Sequence, residues 1–256
     1  MGAPDATVAG RAKAGYVAVL YGSANGLRTA TKQVSSQNSA GVPGGAEAGD
    51  RFGAAPASAD LDGDGHQDLI VGVPGEDTVS GGSNSGCTQV IRGGAKRLAG
   101  AYSPATGRFA GDGLGERGRL MTADIDGDGA ADVVTGVPGE DLGRAADAGA
   151  VVVLCGGAGG LTGAGPRTVT QNMADVPGSA EKGDAFGRAV HLGDADGDGR
   201  ADLAAGAPGE NSGAGFVWCF RSTAGGVVSP NTTTAFGASV LGTTSANGRL
   251  GSGFAY

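Results

Sequence analysis

One nine-residue string, Asp-x-Asp-Gly-Asp-Gly-x-x-Asp, occurs three times, at residues 60–68, 124–132 and 194–202. A chain that repeats at a period of about 65 residues is read as repeats before anything else. Each copy is followed by a short apolar run that ends in Gly-x-Pro: Leu69 to Pro74, Val133 to Pro138 and Leu203 to Pro208. A fourth such triplet, Gly2-Ala3-Pro4, has no aspartate string before it. A Phe-Gly pair precedes two of the strings, Phe52-Gly53 and Phe186-Gly187, and Arg119-Leu120-Met121 is expected in that place before the middle one.

After each Gly-x-Pro comes a polar loop and then a second apolar run: Gly15 to Tyr21, Gly86 to Arg92, Gly149 to Cys155 and Gly215 to Phe220. These runs are short, Val-rich and bounded by Gly and Asn, which predicts strands. A weaker run follows each, such as Arg167 to Gln171. Helix signals are nearly absent, since no window holds a 3.6-residue period between caps. The reading is all-β, with four short antiparallel strands per repeat arranged around an axis as a β-propeller of about four blades. The boundaries are a partial blade at 1–46, blades at 47–111, 112–180 and 181–247, and an opening strand of a next or closing blade at 248–256.

Composition fits this reading. The chain has 54 Gly and 10 Pro in 256 residues, a share that would suggest low complexity if the glycines were not periodic. Aromatic residues are only 5%, so the core must be built from Val, Ala, Leu and Ile, with small residues such as Gly72, Gly136, Ala204 and Gly206 letting sheets approach closely. The net charge of −8 argues against nucleic acid as a partner. No run of 18 apolar residues exists to span a membrane, and Met1 to Asp5 open no signal peptide. Cys87, Cys155 and Cys219 lack the spacing of a zinc site or a disulfide framework, and the odd count leaves at least one thiol free or paired between chains.

Within each nine-residue string, positions 1, 3, 5 and 9 are Asp. Four carboxylates so close repel one another unless a cation sits among them, and Gly at positions 4 and 6 allows the tight turn that points them inward. The backbone carbonyl of position 7 can join them. Hard oxygen ligands in this number suit Ca²⁺ rather than Zn²⁺ or Mg²⁺. This is not an EF-hand: the twelfth position, where that loop carries Glu, is Val71, Thr135 or Ala205. A metal-free Asp-Gly hairpin is the plain alternative for one copy. Twelve aspartates in register over three copies favour the ion, and three Ca²⁺ would bring the charge from −8 to −2.

Phe-Gly, then Asp-x-Asp-x-Asp-Gly-x-x-Asp, then Gly-Ala/Val-Pro resembles the FG-GAP repeat, which builds the propeller of integrin α-subunits and occurs in many secreted bacterial proteins. The resemblance covers nearly the whole chain, whose Gly and Ala richness is similar to the bacterial members. It implies about three Ca²⁺ and an extracellular setting. The ligands it implies are Asp60, Asp62, Asp64 and Asp68 with the carbonyl of His66; Asp124, Asp126, Asp128 and Asp132 with that of Ala130; and Asp194, Asp196, Asp198 and Asp202 with that of Arg200. Propellers of this family usually have seven blades, so this chain is expected either to be a piece of a longer secreted protein or to close a small ring in which Leu250 to Tyr256 completes the blade begun at 1–46.

Other motifs carry little. Gly113-Leu-Gly-Glu-Arg-Gly118 fits G-x-G-x-x-G but lacks the strand before and the helix after that a dinucleotide needs. Neither His66 nor His191 has a Ser or Cys partner by repeat position, so no triad is expected. Trp218 is expected in the core, and Asn231-Thr-Thr233 is a sequon without weight in a bacterial protein. Loops after Gly-x-Pro (Asp5 to Ala14, Gly75 to Ser85, Gly139 to Ala148, Gly209 to Ala214) differ in length and carry Glu76, Asp77, Glu140, Asp141 and Glu210. Variable loops on a rigid scaffold are where binding concentrates. The expected function is therefore a non-enzymatic adhesion module that binds a protein or glycan on the face opposite the aspartate loops. The alternative is the accessory propeller of a secreted hydrolase resembling the glycosylphosphatidylinositol-specific phospholipase D.

Overall fold

The computed structural model describes residues 1–79, 82–95, 97–106, 113–116, 120–161, 167–224, 229–243 and 247–254. It is all-β, as the repeats predict, apart from one turn of helix at Glu210–Gly213. The first sheet has three strands, β1 (Gly2–Ala3), β2 (Tyr16–Tyr21) and β3 (Arg28–Ser35). The second has four, β4 (Ala55–Ala59), β5 (Asp68–Val73), β6 (Cys87–Ile91) and β7 (Ala101–Thr106). The third has β8 (Leu120–Ala123), β9 (Asp132–Val137), β10 (Ala150–Leu154) and β11 (Arg167–Val169). The fourth has β12 (Ala189–Gly193), β13 (Asp202–Ala207), β14 (Phe216–Arg221) and β15 (Ser229–Gly237). Every pair of neighbouring strands is antiparallel and consecutive in sequence, the up-and-down order of propeller blades.

The second strand of each complete blade is covered on both faces. All six residues of β5 and of β9 are buried. Their side chains alternate between two cores, as the pleat requires. Leu69, Val71 and Val73 pack with Val17 and Phe52 towards the first sheet, while Ile70 packs with Val133, Val137 and Leu154 of the third. Val134 then turns the other way, to Val190, Leu203 and Trp218 of the fourth sheet. The inner strand β8 lies between β4 and β12. Trp218 is buried, stands edge-on to Phe186 at 5.4 Å between ring centroids, and donates from Nε1 to the Pro177 carbonyl at 2.9 Å. It is core, as expected.

Blades are joined by a repeated backbone seam. Gly149 pairs in parallel with Phe186, Gly86 with Leu114 and Gly215 with Leu250, and Phe52 donates its N–H to the Ala14 carbonyl at 2.9 Å. Leu114-Gly115 therefore fills the Phe-Gly place of the middle repeat, and not Arg119-Leu120-Met121. Leu120 and Met121 lie in β8 instead, and Arg119 falls outside the described residues. The stretch from Leu114 to Asp124 is two residues longer than that from Phe52 to Asp60, which hides the match. Leu114-Gly115 within the G-x-G-x-x-G string is thus a blade seam in which Leu replaces Phe.

The seam leaves no room for a side chain. A Cβ on Gly72 would lie 1.9 Å from the Gly115 carbonyl oxygen, and one on Gly206 would lie 2.1 Å from that of Gly251. Gly72→Ala must therefore push two blade backbones apart, and it is expected to cost at least about 2 kcal/mol in urea unfolding. Gly22→Ala, whose Cβ meets nothing within 4 Å, should change stability by less than about 0.5 kcal/mol. Equal losses for the two would remove close approach as the reason for glycine at the seam.

Candidate functional site: the acidic loops

The three aspartate strings link the first strand of a blade to the second, β4 to β5, β8 to β9 and β12 to β13. The Gly-x-Pro loops link the second strand to the third and so lie at the opposite end of the blade. Each aspartate loop is built on its own backbone. Asp124 accepts from Gly127 N–H at 2.7 Å through Oδ1 and from Gly129 N–H at 3.0 Å through Oδ2. Asp194 accepts from Gly197 N–H and Gly199 N–H at 2.7 and 3.0 Å, and Asp60 accepts from Asp64 N–H and Gly65 N–H at 3.1 and 2.8 Å. Asp62, Asp126 and Asp196 accept from the N–H two residues on, at 3.3, 3.1 and 3.2 Å. The left-handed turns fall at Gly63, Gly65, Gly127, Gly129, Gly197 and Gly199, where a Cβ would be strained.

The result is a converging set of oxygens. In the first loop, carboxylate atoms of Asp60, Asp62 and Asp64 lie within 4.8 Å of one another, and in the second those of Asp124, Asp126 and Asp128 do. In the third the group is Asp194, Asp196 and Asp202, and a further group joins Asp126 and Asp132 to the Cys155 thiol. Asp198 is turned aside. Arg200 donates from Nη1 to its Oδ2 at 2.7 Å and from its backbone N–H to its Oδ1 at 2.9 Å, which hold the carboxyl below its usual range. Arg221 lies 3.4 Å from Asp196, so the third loop carries two cations of its own. At position 7, His66 and Ala130, like Arg200, donate their backbone N–H to the position-5 aspartate, at 2.8 Å in both loops.

Position 9 differs from the others. Asp68, Asp132 and Asp202 are buried. Each uses both oxygens on backbone N–H groups: one at position 2 of its own loop and one just beyond the third strand. For Asp132 these are Ile125 at 2.6 Å and Gly156 at 2.7 Å; for Asp68, Leu61 at 3.1 Å and Gly93 at 2.7 Å; for Asp202, Ala195 at 3.0 Å and Ser222 at 2.9 Å. Burial pushes the Asp132 carboxyl up to about 6, with Asp126 and Asp124 adding to the rise. Successive loops are also tied to one another. Ala131 N–H donates to the Asp60 carbonyl at 2.8 Å, and Ala201 N–H donates to that of Asp124 at 3.0 Å.

Glu76 and Glu210 of the Gly-x-Pro loops belong to a second set of side chains whose other members were not singled out from the sequence. The string Gln-Asn-x-x-x-Val-Pro-Gly-x-Ala-Glu-x-Gly-Asp-x-Phe-Gly occurs at residues 37–53 and again at 171–187. Together with the Glu that follows Gly-x-Pro, it brings Gln37 and Asp50 near Glu76, and Gln171 and Asp184 near Glu210. Glu140 and Glu210, expected in a solvent-facing loop, are buried. Asp77 and Asp141 remain in the loops, accepting from Asn84 and Asp147 N–H at 2.8 Å each. Cys87, Cys155 and Cys219 form no disulfide, and burial raises the first to about 12. No helix of the described residues is long and apolar enough to cross a membrane.

The family model described as FG-GAP repeat matches residues 52–86, 118–154 and 186–220, each of which spans one aspartate loop and the strands around it. The chain is 33% identical over 182 residues to integrin alpha-PS2 of Drosophila melanogaster, a match that covers 67% of this chain and 12% of that protein. The chain thus spans a small part of the relative's length.

Asp132 gives the site a pH signature. In the folded chain it holds a proton up to about pH 6, whereas an unfolded Asp loses it near 4. The raised value contributes stability that is complete below about pH 4 and is lost as pH rises through about 6. In chelator, the wild-type melting temperature should gain more between pH 7 and pH 5 than that of Asp132→Asn. Equal gains would show that Asp132 does not titrate in this range.

Proposed function

Because the chain is an FG-GAP repeat protein with three acidic loops in register, we propose that it is a calcium-stabilised, integrin-α-like propeller module. It binds a protein or glycan outside the cell and does not catalyse a reaction. The observation that carries this reading is the convergence of three carboxylates to within 4.8 Å in each of the three loops, held there by backbone N–H groups. The donor set fits the ion, since ionised carboxylates only accept, and oxygen donors in this number are calcium chemistry. Asp60, Asp62 and Asp64 would hold the first ion with Asp68 and the His66 carbonyl. Asp124, Asp126, Asp128 and Asp132 would hold the second with the Ala130 carbonyl. Asp194, Asp196, Asp198 and Asp202 would hold the third with the Arg200 carbonyl, after Asp198 has left its contact with Arg200.

The ion's work is to neutralise the loops and stiffen the joint between first and second strands. The variable loops after Gly-x-Pro, held at the other end of the same rigid strands, then present the binding face. The integrin-type match favours this over an accessory domain of a hydrolase.

For sites with Kd of about 0.1–1 mM, ~1 mM Ca²⁺ contributes about 0.4–1.4 kcal/mol each. Three sites should therefore raise the melting temperature by about 3–10 °C relative to chelator. Asp126→Ala should remove about a third of that rise. A calcium-dependent rise that the variant leaves unchanged would overturn the metal assignment. Binding is checked on protein and glycan arrays: replacing residues 142–145 with Gly and Ser should weaken capture while leaving the calcium-dependent melt intact.

A further inference from the structure

We propose that two of the blade junctions each hold a second hard-cation site, Gln37–Asp50–Glu76 at one and Gln171–Asp184–Glu210 at the other. These sites lie at the end of β5 and β13 away from the aspartate loops and share no residue with them.

Gln171 and Asp184 are 1% and 2% exposed, and Glu210 is 9% exposed. Gln171 Nε2 donates to Asp184 Oδ2 at 3.3 Å and to Glu210 Oε2 at 2.7 Å, so one neutral amide faces two carboxyl groups. Asp184 Oδ2 also accepts from Glu181 N–H at 2.7 Å. At the first junction Gln37 donates to Glu76 Oε2, and Asp50 Oδ2 accepts from Glu47 N–H at 2.5 Å. Among the described residues no Lys or Arg forms an ion pair with any of these acids. Two buried carboxylates side by side are costly unless a proton or a cation joins them.

The second observation is the other end of the amide. Oε1 of Gln37 and of Gln171 is buried and accepts no hydrogen bond, although each sits on the carboxamide that touches the carboxyl groups. A half-turn about the last side-chain bond exchanges amide O and N. It would set Oε1 beside the carboxylates as a third oxygen. Three oxygen donors with two negative charges suit a hard divalent ion such as Ca²⁺.

The same three residue types recur at both junctions with the same spacing, although at the first Gln37 bonds Glu76 alone and Glu76 is half-buried. Gln37 to Glu76 and Gln171 to Glu210 each span 39 residues. No glutamine stands between Gln89 and Gln171, so the junction between the second and third sheets lacks the motif and serves as an internal control. Gln171 follows β11 of one blade and Glu210 follows β13 of the next, so the ion would cross-link consecutive blades.

The test counts bound ⁴⁵Ca²⁺ per full chain by equilibrium dialysis at pH 7.5, for wild type and for Gln37→Met/Gln171→Met. The expected result is two fewer ions on the variant. An equal count overturns the proposal. The readout is a difference, so it stands whether or not the aspartate loops bind, and Asp126→Ala should leave it unchanged. Gln171→Glu guards against a variant that fails to fold. It removes the amide donor and adds a carboxylate oxygen, so its melting temperature should fall in chelator and recover in Ca²⁺ by more than wild type gains. A gain no larger than wild type's would make Gln171 a neutral hydrogen-bond bracket and would also overturn the proposal.

Discussion

The buried aspartate that closes each acidic loop holds three pieces of the blade in one geometry. Its carboxylate is anchored at the start of the second strand, reaches back to the N–H at the head of the loop, and reaches across to the backbone beyond the third strand. Charge-assisted bonds of this kind are stronger than neutral ones, and burial shields them from water. Without that carboxylate the loop head and the end of the third strand would each present an N–H with no acceptor. The aspartates at positions 1, 3 and 5 are therefore free to converge because the one at position 9 has already set the loop's path. Removing it should open the loop before it weakens any ion.

This anchoring passes from blade to blade. Each loop's first carbonyl receives the N–H of the next loop's eighth residue, and the seam glycines place backbone against backbone at a distance that admits no side chain. Close approach of this sort lets Val, Ala and Leu fill an interface that larger side chains would hold apart. It also explains how a chain with 5% aromatic residues builds three separate cores, with Phe52, Phe186, Phe220 and Trp218 among the few large plugs.

Much of this was legible in the residues. The nine-residue string, its period and the Gly-x-Pro after it led to the all-β reading and to short strands in consecutive order. The seam at Leu114 was not legible, because two extra residues shift it and Leu stands where Phe does elsewhere. Position 9 reads as one more aspartate in a row of identical letters; only its place at the start of a buried strand shows that it clamps the loop as well as facing the proposed ion. The Gln–Asp–Glu clusters were visible as an identical spacing in two stretches. Their glutamates, Glu76 and Glu210, read as loop residues because each lies 39 residues from its glutamine, and nothing local signals that pairing.

The charge distribution along a blade follows from the same geometry. Strand β13 is six residues long, about 20 Å, and apolar, with one acidic cluster at each end. Its middle contributes packing that does not depend on pH or ions. Its ends contribute terms that do, since each holds carboxylates closer together than water alone would keep them. A blade of this kind is stable in its centre and conditional at both faces. The loops after Gly-x-Pro, which differ in length, sit at one of those faces, beside Asp184 and with Glu210 among their residues. On the proposed reading, a ligand bound there would meet backbone whose stiffness depends on how those acids are neutralised, and ion occupancy and ligand affinity would be linked through the same few residues.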